Sequence, residues 1–305
     1  MLSRRLAAVN PAMRAREETD VKALHSEQVA AFRRDGFLFP FAMLEEAERQ
    51  TALADLDRYE RWLGAPLSQQ TDRRRMTQPY LFLPWFDALV RDPRVLDAIE
   101  DLIGPDILVW TGTFWIKEPG SATFAAWHQD NTYFGLEPSE TVCAWLALTD
   151  ASSEAGCMNV LSWHGAPRQL RHAPRRHAAS INRAGQTVVE AFDDREAVAM
   201  ELKAGEFSIH HGLCMHTSAP NHARHRRIGL GFNYMPPHVR PTTSVRMAAM
   251  LVRGEDRYGH FDLIEPPGGE LDPASLALHE DAYARYAANY AEVVARRERE
   301  WVGAA

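Results

Sequence analysis

The sequence predicts a mainly β fold, a sandwich or jelly roll with flanking helices, on three observations. From about residue 107 to 236 the chain is a series of short β-branched or aromatic runs separated by turn residues: ILVWTGTFWIK, TVCAWLALT, CMNVLSW, AVAMELK, FSIHHGLCMHT and RRIGLGFNYM. Several of these alternate with period two, which suits antiparallel sheets rather than a parallel one. Helical periodicity is confined to the first third and to a charged stretch over 273–301.

Taken in order, residues 1–23 read as a flexible tail. Their start, MLSRRLAAVNPAMRAR, is basic and free of acids, as in a transit peptide, but a frayed terminus is the expectation. Ser26 is the expected N-cap of a helix carrying Ala30, Ala31 and Phe32, which Gly36 stops. Helices follow over 45–62 and 93–102, the second ended by Gly104-Pro105. The chain from 24 to 305 is thus expected to form one domain: a helical part (24–106), a β core (107–236) and a C-terminal helix (273–301). Leu276, Leu278, Tyr283, Tyr286 and Tyr290 give that last helix an apolar stripe for packing on the outside of the core.

Composition excludes some functions. The 305 residues are 46% hydrophobic, enough for a sizeable core, and carry a formal charge of -7. An acidic excess disfavours binding to nucleic acid or anionic membranes. No apolar run approaches the roughly 20 residues of a membrane helix. Cys143, Cys157 and Cys214 are odd in number and lack a paired spacing, which points to a reducing, cytoplasmic setting. The expected partner is a small molecule; oligomeric state is not encoded legibly.

The chemistry is carried by AAWHQDNTYFG, residues 125–135. On a strand His128 and Asp130 would face the same side while Gln129 points away. His216, in CMHTSAPN late in the β region, supplies a third ligand. Two histidines and one carboxylate leave open positions on a metal, as non-haem Fe(II) requires. Arg227 adds a second signal. In RRIGLGFNYM it alternates with Gly229, Gly231 and Asn233, opposite the apolar Ile228, Leu230 and Phe232, so a guanidinium stands beside two positions without side chains. Arg226 competes with it, and the glycine-lined face favours Arg227. Catalytic zinc could use the same three ligands in a hydrolase, and a non-catalytic jelly-roll binding protein is the other alternative.

At this point the chain resembles the phytanoyl-CoA dioxygenase family of Fe(II)/2-oxoglutarate oxygenases, over roughly residues 24–255. The matching segments are SEQVAAFRRDGFLF, LIGPDILVWTGTFWIKEPG, WHQDNTYFGL, VCAWLALTDAS, GCMNVL and HTSAPNHARHRR. The resemblance implies a double-stranded β-helix (jelly roll, cupin-like) core, Fe(II) as cofactor, and 2-oxoglutarate and O2 as co-substrates. It makes His128, Asp130 and His216 the iron ligands and catalytic centre. Arg227 would bind the distal carboxylate of 2-oxoglutarate with help from Ser218, with Trp145 and Phe114 beside the co-substrate and Gln129 hydrogen-bonding nearby. Related halogenases replace the carboxylate ligand, so Asp130 implies hydroxylation of an aliphatic C–H, with release of succinate and CO2.

Two segments depart from the family pattern: Glu154-Ala155-Gly156, and SWHG at 162–165. His164 is therefore set aside as a ligand, and His210 and His211 are read as structural. Asn131, Thr132, Tyr133 and Phe134, which follow the metal pair, are expected in the substrate pocket, with Gln78 and Tyr80 as further candidates. The basic segment 168–177 would either attract an anionic substrate or form a solvated loop.

Overall fold

The computed structural model describes residues 22–163, 167–175, 177–182 and 186–302. The chain opens with α1 (Ser26–Asp35), β1 (Phe37–Ala42), α2 (Glu46–Leu63), α3 (Pro84–Val90) and α4 (Pro93–Ile103). Next come β2 (Ile107–Lys117), β3 (Ala125–His128), the single turn α5 (Asn131–Phe134), β4 (Leu136–Glu137), β5 (Val142–Ala147) and β6 (Met158–Leu161). β7 (His172–Pro174), β8 (Gln186–Val188), β9 (Val198–Met200), β10 (Glu206–His211), β11 (Met215–Ser218) and β12 (Arg227–Met235) complete the β region. β13 (Arg240–Pro241), β14 (Ala248–Arg253) and β15 (Asp262–Leu263) lead to α6 (Pro273–Val302).

The expected helices form, with one shifted start. His25 rather than Ser26 caps α1, because the Gln28 side chain accepts the His25 backbone N–H at 2.8 Å, and Gly36 closes the helix in the left-handed region. Residues 22–24 are already fixed: their backbone N–H groups donate to the Asp101 carboxylate on α4.

Two sheets make the core. The larger runs β1-β10-β5-β12-β2-β14-β15, antiparallel except for its last pair, and the smaller runs β3-β11-β6-β9. Together they form the jelly roll. Alternation along β12 sorts its side chains between the two faces of the large sheet. Leu230 and Phe232 join the core beneath α1–α4 with Phe114, Leu146 and Ile209. The other face turns toward the small sheet: Trp145 and Trp115 pack there with Cys157 and Met158.

The run FSIHHGLCMHT folds as two strands in different sheets, β10 and β11. The crossing needs Gly212, because a Cβ there would sit 2.2 Å from Thr141 Oγ1 and 2.3 Å from Asn131 Oδ1. It carries the chain from His210 on one sheet to His216 on the other.

α6 departs from expectation. Instead of covering the outside of the core, it lies across one end of the barrel, where Tyr286 and Tyr290 pack with Tyr133, Phe134 and Trp110. His279 Nε2 and the Thr77 carbonyl are 2.8 Å apart, and Asn289 Nδ2 donates to the Phe134 carbonyl at 2.9 Å. Close approach is possible because residue 135 is glycine, at φ 64, where a Cβ would fall 2.3 Å from Val293 Cγ2. Leu278, assigned to the buried stripe, is half exposed instead.

Candidate metal centre

His128 and His216 are cross-strand partners on β3 and β11, with ring centroids 4.1 Å apart. Each imidazole is oriented through Nδ1 by a backbone carbonyl two residues earlier, Ala126 at 2.7 Å and Cys214 at 3.0 Å. With Nδ1 as donor, each Nε2 keeps its lone pair for a metal. Both Nε2 atoms face Asp130 Oδ1, at 3.6 Å and 3.7 Å. The donor atoms of the three residues lie within 4.8 Å of one another, a spacing that one divalent ion can bridge.

The convergence has a different cause from strand alternation. β3 ends at His128, and Asp130 adopts helical angles at the start of α5. Its side chain caps no helical N–H, which leaves the carboxylate to the histidines. Asp130 Oδ2 faces a further histidine, His210 on β10, at 3.5 Å from Nε2. The two carboxylate oxygens thus have separate tasks, one turned to the ligand pair and one to His210. Burial opposes charge on Asp130, but His216, His128 and His210 outweigh it and hold the carboxyl well below its ordinary range. Burial, then the nearby His128, pushes His216 down to about 3, so it is neutral and ready to ligate at neutral pH.

Beside the triad is a cavity of about 60 Å³, lined by Trp115, Trp145, Ser218 and Arg227 as well as the three ligands. Arg227 is buried. It donates to the Gly156 carbonyl at 3.1 Å and the Trp115 carbonyl at 3.4 Å, lies 5.2 Å over the Trp145 ring, and leaves Nε without a partner among the described residues. Gly229 makes this stack possible, since a Cβ there would be 1.9 Å from Trp145 Cζ2. Lys117, which sequence reading missed, pairs with Arg227 across β2 and β12 and is fully buried. Its ammonium donates to Ser218 Oγ at 2.8 Å and to the Ala219 carbonyl. Burial, followed by repulsion from Arg227, pushes it down to about 6. Among the described residues no carboxylate makes an ion pair with either side chain. The enclosed Arg227 guanidinium, with no protein anion among the described residues, forms a receptor for a carboxylate, and the Lys117 amine beside it gains a proton most readily when an anion is bound. Arg226, the competing arginine, is committed elsewhere, to Glu60 at 2.7 Å and Glu118 at 3.1 Å.

A second cavity, about 270 Å³, also opens on His128 and Asp130. Tyr133 and Phe134 line it, together with Trp115, Thr111, Thr113, Asn182 and Asn233, and Tyr283, Tyr286 and Tyr290 of α6 close it. The α6 tyrosines were legible only as a packing stripe.

Several expected site residues lie elsewhere. Phe114 points to the helix-covered face of the large sheet, against Tyr59, Trp85 and Phe86, because Thr113 and Trp115 take the inward positions on either side of it. Gln129 faces away from the metal: its amide donates to the Arg168 and Leu213 carbonyls, and its oxygen accepts from Leu170 N. Asn131 is buried at the Gly212 crossing, where its Oδ1 accepts from Thr141 at 2.7 Å. Thr132 is buried against His172. Gln78 donates to the Trp110 carbonyl at 3.1 Å, and Tyr80 belongs to the core beneath the helices.

The basic segment buttresses the metal motif. His172, which burial pushes down to about 4, receives the Gln129 backbone N–H at 3.1 Å, and Arg168 pairs with Glu190 at 2.9 Å. His164 and Arg176 lie outside the described residues. His211 is buried, as its structural reading requires, but His210 stands at the centre itself.

Residues 32–229 match the family model described as phytanoyl-CoA dioxygenase (PhyH). The chain belongs to the phytanoyl-CoA dioxygenase family. Members are non-haem oxygenases that use Fe(II) and 2-oxoglutarate with O2. The apo form of ThoJ, a non-heme monooxygenase, is 31% identical with a TM-score of 0.78, over 88% of this chain and 99% of that one. CytC3 with Fe(II) and alpha-ketoglutarate shares the fold at 20% identity, with a TM-score of 0.61 over 82% of this chain and 98% of that one. Human peroxisomal phytanoyl-CoA dioxygenase is 26% identical over 133 residues, 42% of this chain. That match spans 39% of the human protein's length, and 36% for phytanoyl-CoA dioxygenase 1 of rice (Oryza sativa subsp. japonica), at 30% identity over 34% of this chain.

The residues present fit the family's cofactors. The triad supplies two imidazoles oriented through Nδ1 and an ionised carboxylate, and the adjoining cavity offers the Arg227 guanidinium to an anionic co-substrate. Among the described residues no helix is long and apolar enough to cross a membrane.

Proposed function

We propose that this protein hydroxylates an aliphatic C–H bond of a small organic substrate, with consumption of 2-oxoglutarate and O2 and release of succinate and CO2. The observation that carries this reading is the buried Arg227, without an anionic partner among the described residues, in a cavity that shares His128, Asp130 and His216, with Lys117 bonded behind it to Ser218 of the same wall. A zinc hydrolase would have no use for that guanidinium beside the metal, and a binding protein with a decayed site would have no need of oriented ligands.

Fe(II) with 2-oxoglutarate would supply the oxidising power needed to break an unactivated C–H bond. The protein's part is positioning. His128, Asp130 and His216 would hold the metal from one side, with Ala126 and Cys214 carbonyls fixing the rings. Arg227 and Ser218 would take the distal carboxylate, with Lys117 holding the Ser218 hydroxyl from behind and the Trp145 face keeping the guanidinium in place. The 270 Å³ cavity would seat the substrate on the open side, with the α6 tyrosines excluding water. Retention of Asp130 supports hydroxylation over halogenation. Three buried, unpaired cysteines support a reducing, cytoplasmic setting.

The test is aerobic turnover with Fe(II), 2-oxoglutarate and a panel of small molecules, with succinate and product mass as readouts. A substrate that gains one oxygen atom per succinate supports hydroxylation. Loss of two hydrogens or incorporation of halide would contradict it.

A further inference from the structure

The 270 Å³ cavity has a wall chemistry that selects among substrates. Its sides are aromatic: Tyr133 and Tyr290 lie parallel, 7° apart in plane with centroids at 5.5 Å, and Phe134 and Tyr286 are backed by Trp110 at 4.7 and 5.7 Å. Its floor is polar. Thr111 on β2 and Asn233 on β12 are register partners across the two strands and both line the cavity. Thr111 Oγ1 and Asn233 Oδ1 are buried and have no hydrogen-bond partner among the described residues, in residues only 3% and 9% exposed. Buried polar atoms are nearly always paired, and an unpaired couple in a cavity wall marks where a ligand completes the bonding.

We propose that this cavity takes a ring-bearing substrate, aromatic or heteroaromatic, which packs on the tyrosine faces and donates a hydroxyl or N–H hydrogen to Asn233 and Thr111. The proposal deepens the oxygenase reading and rests on it for the identity of the site as a substrate pocket. Ring faces and edges suit aromatic partners in offset or T-shaped contact. A plain acyl chain would leave both oxygens of the floor desolvated and unpaired, which is the costly arrangement.

The test uses indole, which carries a ring N–H, 1-methylindole, which lacks it, and octanoate as a chain without a ring. Dissociation constants are measured by saturation-transfer NMR on the metal-free protein. The wild type should bind indole about 3- to 10-fold more tightly than 1-methylindole, the worth of one hydrogen bond, and octanoate should not displace it. Thr111→Val with Asn233→Leu should bring the two indoles to parity. If that double variant does not fold, Tyr290→Ala provides the second reading and should weaken both indoles without strengthening octanoate. Equal binding of the two indoles by the wild type, no binding of indole, or its displacement by octanoate would overturn the proposal. Because no metal or 2-oxoglutarate is present, these outcomes are independent of whether the iron chelate forms.

Discussion

His128 and His216 face each other across one register position of β3 and β11, and each is locked through Nδ1 by the backbone carbonyl two residues before it. Neither ring has to be reoriented for both Nε2 atoms to meet a metal with Asp130. His216→Ala is therefore expected to lower Fe(II) or Mn(II) affinity by more than about 100-fold, beyond the range of outer-shell changes. Anaerobic titration calorimetry checks this, with circular dichroism to confirm the fold.

His210 Nε2 lies 3.5 Å from the other oxygen of Asp130. His210→Phe keeps the volume but removes that polar neighbour, and metal affinity should fall by about 10-fold, the lower range for a lost outer-shell partner. The same titration reads it; an unchanged affinity would return His210 to a packing role.

Arg227→Met should weaken 2-oxoglutarate by about 2–5 kcal/mol, the cost of truncating one partner of a buried charge pair. Metal affinity should stay the same, because Arg227 does not touch the triad's donor atoms. Measuring 2-oxoglutarate binding to the Mn(II)-loaded protein separates the two effects.

Gly229→Ala tests the cradle. A Cβ only 1.9 Å from Trp145 Cζ2 forces the indole ring to move, and with it the surface that supports Arg227. Overpacking of this kind costs about 1–3 kcal/mol of stability, read by urea denaturation, and 2-oxoglutarate should bind more weakly as well.

Lys117 makes the stability of the metal-free protein depend on pH. Its folded value, about 6, lies below the ordinary 10.5, so between these limits the unfolded chain holds the extra proton. Stability therefore rises with pH across that window, with a slope of at most about 1.4 kcal/mol per pH unit, and levels off below about 6, where the buried amine is protonated too. Urea titrations at several pH values should show a smaller slope in Lys117→Met than in the wild type.

Much of the site was legible in the sequence because its chemistry is tied to residue type. A His-x-Asp pair, a late histidine and an arginine on a glycine-lined strand face are local patterns, and all four side chains meet in the structure. What the sequence concealed depends on geometry. The chain breaks from strand to helical turn between His128 and Asp130, which sends Gln129 and Asn131 into the scaffold. Phe114 falls on the far face because inward and outward positions alternate through β2, a register that its own residues do not reveal. Lys117 had one faint signal, a lysine ending an otherwise apolar strand. His210, close to His216 in the chain, was read as structural, and only the crossing at Gly212 between the two sheets shows it beside Asp130. The α6 stripe was recognised, but an amphipathic pattern does not say which surface it covers.

The central claim is that His128, Asp130 and His216 hold Fe(II) while Arg227 and its neighbours hold 2-oxoglutarate. Its most direct test is the anaerobic absorption spectrum of the protein with Fe(II) and 2-oxoglutarate, for wild type and His216→Ala. A metal-to-ligand charge-transfer band in the wild type that is absent from the variant is the predicted result. An iron-loaded wild type that shows no such band, and retains zinc tightly instead, would contradict it and favour hydrolytic chemistry.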